Sequence, residues 1–316
     1  MSTPLLIAII ILSSLTVLLF IFTYYTYYIT FKRWRRPIDI ERDLGLKIDN
    51  YDEIKRTGEE FSKQPYEKMR IKSDDGLILV GRYYHVNDGA PVDILFHGYR
   101  SSPTHDFPSG LDLSFDGGHN VLLVYHRSHG KSEGKSITFG AKEKFDLLLW
   151  VNHIIKRFGD DTEIILTGIS MGAATVILAS ALELPKNVKG IIADCPYSSA
   201  KEEIMQRASS MGFPASVVYP IIRLGGIVFA RFDPNSPDVV EAARKSRLPI
   251  LLIHGDCDSF VPKYMSDRIY EANPSKISYH VFPHADHGLS YITDPERYGK
   301  ICHEFCNECL SKKYAN

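Results

Sequence analysis

Residues 166–175 read LTGISMGAAT: an apolar run meets a serine set between Gly168 and Gly172, and a small-residue pattern follows. Glycines on both sides of one short segment mean a turn so tight that a Cβ would strike neighbouring backbone. A strand that breaks this sharply into a helix leaves the hydroxyl of Ser170 exposed on the tip. The helix N-terminus beneath it favours developing negative charge. Serine also caps helices in many ordinary proteins, and Gly-x-Ser-x-Gly alone does not separate the two roles. The strand before it and the helix after it favour a nucleophile elbow.

The rest of the chain supplies the sheet that such a turn needs. "YEKMRIKS" and "LILVGRYYHV" alternate around Asp74-Asp75-Gly76 and read as a β-hairpin. Residues 92–98, 162–168, 188–196, 248–255 and 276–283 are short, nearly solid apolar runs, and 120–130 is another strand that breaks into a polar loop. Helical patterns separate them: 142–159 with apolar spacing at Phe145, Leu148, Leu149 and Ile155, then 171–184, Val261 to Ala272, and one from Asp294. Solid apolar strands alternating with helices predict an α/β fold, a mostly parallel sheet covered by helices on both faces, with an antiparallel hairpin at its start. Residues 197–247 interrupt this rhythm with apolar pieces and read as a helical cap or lid insertion.

Residues 5–22 are apolar and uncharged, and as a helix would span about 27 Å. Tyrosines follow over 24–28, and KRWRR at 32–36. Aromatic belt and positive flank predict a single-pass anchor with the bulk of the chain on the cytoplasmic side. A cleaved signal peptide is the competing reading, but the basic leader, short core and small-residue cleavage site are missing. The expected organisation is an anchor and belt over 1–31, a juxtamembrane linker or helix over 32–64, and one catalytic domain over 65–316. A formal charge of −1 without a basic stripe argues against nucleic acid as partner. Five cysteines do not pair off evenly and read as reduced thiols.

A hydroxyl is a weak nucleophile at neutral pH and needs a base. For an elbow of this kind the partners follow in the order serine, acid, histidine. The loop PHADHGL after the last strand offers His284 and His287; His287, deeper in the loop and followed by Gly288, is the expected base, with His284 structural. HGDCDSFVP offers Asp256 and Asp258. Asp258 is preferred as the carboxylate that fixes the imidazole, and Asp256 is expected to bond loop amides. A metal held by His284, Asp286 and His287 lacks further ligands at workable spacing. The oxyanion hole needs two backbone N–H donors, expected from Met171 and Tyr99, with His97 organising the loop.

These blocks resemble an α/β-hydrolase, specifically the membrane-anchored esterase-like members related to the serine aminopeptidase group. The resemblance rests on HGYRSS, HRSHGKSEG, FGAKEKFDLLLW, GISMGAAT, ADCPYSS and HGDCDSFVP…HADHG, and runs from Tyr66 to the end. It implies hydrolysis of an ester, thioester or amide without metal or cofactor. One departure is Tyr125, where the family usually has an aspartate two residues before the arginine of Arg-x-x-Gly-x-Ser. The expected activity is that of a serine hydrolase acting through an acyl-enzyme on a small-molecule or lipid-like substrate with a hydrophobic acyl group. The alternatives are a peptidase, which would need lid acids for a substrate amine, and a binding protein that keeps the fold without turnover. Glu202 and Glu203 are available for the former but read as helix surface. Cys302, Cys306 and Cys309 share one face of the last helix and read as packing. Trp150 reads as core, Gly225-Gly226 as a hinge or close helix contact, and Arg100, Arg223 and Arg231 as solvated surface or an anion contact.

Overall fold

A computed structural model describes residues 2–33, 56–57, 59–60, 63–107 and 111–310, so the expected linker over 32–64 lies mostly outside the described residues. Eight strands form one sheet in the order β1-β2-β4-β3-β5-β6-β7-β8. They are β1 (Glu67–Lys72), β2 (Ile78–Tyr84), β3 (Val92–Phe96), β4 (Asn120–Tyr125), β5 (Ile164–Ile169), β6 (Val188–Asp194), β7 (Ile250–Gly255) and β8 (Ile277–Phe282). β2 pairs antiparallel with both β1 and β4; every other pairing is parallel. The solid apolar runs become the central strands: β3, β4 and β7 are buried along their whole length. This is the α/β-hydrolase fold.

The helix Glu143–Phe158 corrects one expectation. Phe145 is 44% exposed, whereas Leu147, Trp150, Val151 and Ile154 are fully buried. The true stripe was hard to see because it begins with Glu143 and Asp146, both buried. Their carboxylates have partners: Glu143 accepts from the N–H groups of Thr138 and Gly140, and Asp146 grips Arg127 from two sides at 2.6 and 2.7 Å. The helix expected from Val261 begins at Tyr264. Of the three arginines, Arg223 pairs with Asp233, Arg231 is exposed, and Arg100 donates to Ile29 O and Lys32 O. Cys302 and Cys306 pack beside Phe305, and Cys309 lies against Gly190.

Residues 197–247 carry helices Ala200–Ser210, Ala215–Gly225 and Val239–Lys245, the second running on into a π-helical turn at Gly226–Ala230. The N-terminal helix Thr3–Thr30 is about 42 Å long. It contains an 18-residue window of mean hydropathy 3.0, none of it buried in the protein. It is long and apolar enough to cross a membrane. Its end joins the folded domain: Phe31 is fully buried between Phe139 and Phe232, and its carbonyl accepts from Ile137 N–H at 2.7 Å.

Candidate active site

The elbow is built by contact between backbones. A Cβ on Gly172 would stand 1.8 Å from Phe96 O, and one on Gly168 2.3 Å from the carbonyl carbon of Gly172. Only hydrogen fits at either place, so β5 turns into the helix Met171–Ser180 directly against the end of β3. Ser170 takes the strain, at φ 54 and ψ −116. That is a region L-residues rarely occupy, and it persists because the Ser170 N–H is tied to Asp194 O at 2.8 Å.

The loop after β8 brings His287 to this tip. Its Nε2 lies 2.9 Å from Ser170 Oγ and its Nδ1 2.8 Å from Asp258 Oδ2. The pairing fixes the tautomer: Nδ1–H donates to the carboxylate, leaving the Nε2 lone pair to accept the serine hydroxyl. Asp258 is itself held by the N–H groups of Phe260 and Val261 at 2.9 and 2.7 Å. His254 Nε2 stands 3.1 Å from Asp258 Oδ2, and its Nδ1 faces Ser266 Oγ at 2.7 Å. Burial would raise the Asp258 carboxyl, but the His287 charge and the His254 bond outweigh it and hold it below the usual carboxylate range. Burial likewise opposes a charged His287; the adjacent Asp258 prevails and keeps the imidazole more basic than an ordinary histidine.

The neighbouring carboxylates serve the loops. Asp256 accepts the His284 N–H at 2.6 Å, and Asp286 accepts those of Ser259 and His287. Cys195 Sγ, Asp258 and His287 bring three potential metal-binding atoms within 4.8 Å of one another. Both imidazole nitrogens are already engaged by Ser170 and Asp258.

Beside the elbow runs the loop 97–101. A Cβ on Gly98 would sit 3.4 Å from Ser170 Cβ. Asp106 anchors the Gly98 N–H at 2.6 Å, and His129 Nε2 accepts the Arg100 N–H at 2.9 Å. His97 accepts from His126 N–H at Nε2 and donates from Nδ1 to Gly98 O. Burial pushes His97, His126 and His129 below the ordinary histidine value, His126 to about 3 and His129 to about 4, against the pull of their backbone hydrogen bonds. These are neutral structural rings. Among the described residues, neither the Tyr99 nor the Met171 backbone N–H donates to another group. At Tyr125 the departure from the family pattern is accommodated by shape: its ring fills the space where a Cβ on Gly130 would stand, and its carbonyl accepts from Ser132 Oγ.

Glu203 overturns its reading as helix surface. It is buried, and neither carboxyl oxygen has a partner among the described residues. Glu202, next to it, bonds Ser198 and Arg268 instead. Desolvation pushes the Glu203 carboxyl up to about 8, with His287 and Arg207 pulling the other way, so it is mostly neutral at pH 7. The unfolded chain loses this proton near pH 4.3, about four units earlier, so stability falls as pH rises between the two values, by roughly 3–5 kcal/mol. Glu203→Gln is expected to flatten that slope: unfolding in detergent near pH 8 should require more urea than the parent, with the two converging near pH 4.

Sequence reasoning did not single out His254, Asp106, His129 or Glu203 as supports of the site. For the first three the only signal was position, at the end of a strand or in the segment that follows one, whereas Glu203, inside the helix Ala200–Ser210, read as a surface acid.

Comparison with known proteins matches this geometry to a family. A family model described as serine aminopeptidase, S33, matches residues 94–232, which include the elbow. YqkD, an uncharacterized protein of Bacillus subtilis (strain 168), is 27% identical over 267 residues, covering 83% of this chain and 85% of that protein. The thiohydrolase apmlB of Arthrinium phaeospermum is 31% identical over 134 residues; the match spans 41% of this chain and 43% of that one. Among solved structures, the Pyrococcus furiosus esterase Pf2001 superposes with a TM-score of 0.64 at 22% identity, covering 84% of this chain and 96% of that one. A shared fold along most of its length, with a family match across the elbow, gives this chain the α/β-hydrolase fold and a likeness to the serine aminopeptidase, S33, family.

Proposed function

We propose that this chain is a serine hydrolase that cleaves an ester or thioester with a hydrophobic acyl group through an acyl-enzyme. The observation that carries the reading is the continuous relay from Asp258 through His287 to Ser170 Oγ, with contacts of 2.8 and 2.9 Å. His287 Nε2 takes the hydroxyl proton as Oγ attacks the substrate carbonyl. Asp258 stabilises the imidazolium, and the N–H groups of Tyr99 and Met171 hold the tetrahedral oxyanion. The intermediate collapses as the alcohol or thiol leaves with the proton from His287, and the acyl group stays on Ser170. A water, deprotonated by the same imidazole, then releases the acid.

Aromatic surroundings support a hydrophobic substrate: the Phe260 ring lies 5.0 Å from that of His287, and Tyr99, beside the elbow, packs on Phe139. The helices of 197–247 act as the cap over this site, and the chain 65–316 works as one catalytic domain. KRWRR after the anchor supports a cytoplasmic side for that domain. The thiohydrolase likeness supports a thioester as readily as an oxygen ester. One observation favours amide substrates with a free amine as a second reading: the unpartnered, buried Glu203 on the cap.

A panel of p-nitrophenyl esters of increasing chain length, an acyl thioester and aminoacyl-anilides tests both readings, with Ser170→Ala as blank. The expected result is turnover rising from acetate towards medium or long chains and at least about 10³-fold lower in the blank. Selective anilide cleavage, lost in Glu203→Leu, would move the assignment to the second reading. No Ser170-dependent turnover of any member would refute both.

A further inference from the structure

The cap exposes more apolar surface than a water-facing helix pair needs. Met211, Phe213, Val217, Leu224, Ile227 and Val228 are 39–65% exposed. Between 211 and 230 the one charged residue is Arg223, and it is paired with Asp233. Scattered exposed apolar residues are ordinary, but a run concentrated on one helix and its approach is not.

What lies against this helix decides what covers its other side. The Phe229 ring contacts Phe20, Tyr24 and Tyr27 of the N-terminal helix at 5.7, 5.3 and 5.3 Å. The close approach depends on Gly225, where a Cβ would stand 3.0 Å from Thr23 O and 3.2 Å from Tyr27 Cβ. The joint is fastened again below, where Tyr99 Oη donates to Thr30 O at 2.7 Å and Arg100 to Ile29 O at 2.7 Å. Phe20 belongs to the apolar run that is long enough to cross a bilayer, and Tyr24 to the tyrosine belt that follows it. A helix packed from Phe20 to Tyr27 therefore lies at the depth where acyl chains meet headgroups.

We propose that the outer face of 211–230 is a lipid-binding surface, inserted into the leaflet on the domain side of the N-terminal helix. Its occupant is the acyl region of a phospholipid bilayer. The helix Ala200–Ser210, which precedes this face, reaches the site: Arg207 lies over the Phe260 ring, itself 5.0 Å from that of His287, and Ser170 is only 7% exposed. Substrates with long acyl chains then reach the site laterally from the bilayer, a consequence that rests on the hydrolase reading above. The lipid contact itself does not.

The test uses the full chain in phosphatidylcholine nanodiscs, in a Cys257→Ser background that removes the exposed thiol. Val228→Cys carries a bimane label, and Ser275→Cys, exposed and beyond the end of the helix Tyr264–Ala272, is the reference. Lipids bearing a nitroxide at acyl carbon 5 are expected to quench the label at 228 at least about threefold more than that at 275, with iodide showing the opposite order. Equal iodide access at both sites overturns the proposal. So does a label at 228 shielded from both quenchers, which would mean a second copy or another protein covers the face.

Activity gives an independent arm. Val217→Lys with Val228→Lys should slow hydrolysis of a long-chain ester in the nanodisc about tenfold while leaving p-nitrophenyl acetate unchanged. An equal rate on the long ester contradicts lateral delivery, as does an equal loss on both. If the parent hydrolyses neither ester, the hydrolase reading fails, while the quenching result still decides the lipid surface.

Discussion

Gly172→Ala is expected to leave little folded protein at 37 °C. The added methyl would fall 1.8 Å from Phe96 O, 2.5 Å from Phe96 C and 2.8 Å from His97 O. All three are backbone atoms, so no rotamer change relieves the clash. Phe96 is paired with Gly168 across β3 and β5, and pushing it aside breaks the register of the two strands on which the elbow stands. The cost is at least about 4 kcal/mol, a large part of the roughly 5–15 kcal/mol that holds a domain together. Gly159→Ala is the control: its φ of +105 strains a side chain, unlike the helical Gly172, but open space surrounds its Cβ position, so about 1 kcal/mol is lost. Soluble yield and urea unfolding in detergent compare the two. Equal, mild destabilisation would show that the elbow tolerates a side chain and that its tightness is incidental.

Asp258→Asn should fold and yet hydrolyse esters about 10³–10⁴-fold more slowly. The asparagine oxygen still accepts from Phe260 and Val261, so the loop keeps its shape. Its amide, however, turns a donor towards His287 Nδ1, which is also a donor in the parent. The imidazole must then place its proton on Nε2, where Ser170 needs an acceptor. Losing the carboxylate also removes what raises the His287 pKa. Activity requires the neutral ring, so the acidic limb of kcat/KM against pH should move to lower pH as its height falls. A variant with parental rates and an unmoved limb would show that Asp258 serves the loop alone.

The fold was legible because its signals are local. Solid apolar strands, the DDG turn and two glycines around a serine each state their geometry within a few residues. Ser170, Asp258 and His287 could be singled out for a similar reason: each sits in a loop just beyond a strand of a parallel sheet, and such loops gather at one end of it. Polar burial was not legible. Glu143 and Asp146 disguised the inner face of their helix because their partners, Thr138, Gly140 and Arg127, come from other parts of the chain. Glu203 resembled any exposed helix acid until the cap was folded over it. The role of Phe31 was equally hidden, since residues at the end of a membrane anchor are read for their lipid contacts and not for the core they enter.

The central claim is that Ser170 is a nucleophile activated by His287. Treating the folded chain in nanodiscs with a fluorophosphonate and mapping the adduct by peptide mass spectrometry tests it most directly. The account expects one phosphonylated residue, Ser170, formed at least about 10³-fold more slowly in His287→Ala and not at all after prior denaturation. A folded parent that stays unmodified at Ser170, or labels there at the same rate without His287, would contradict it.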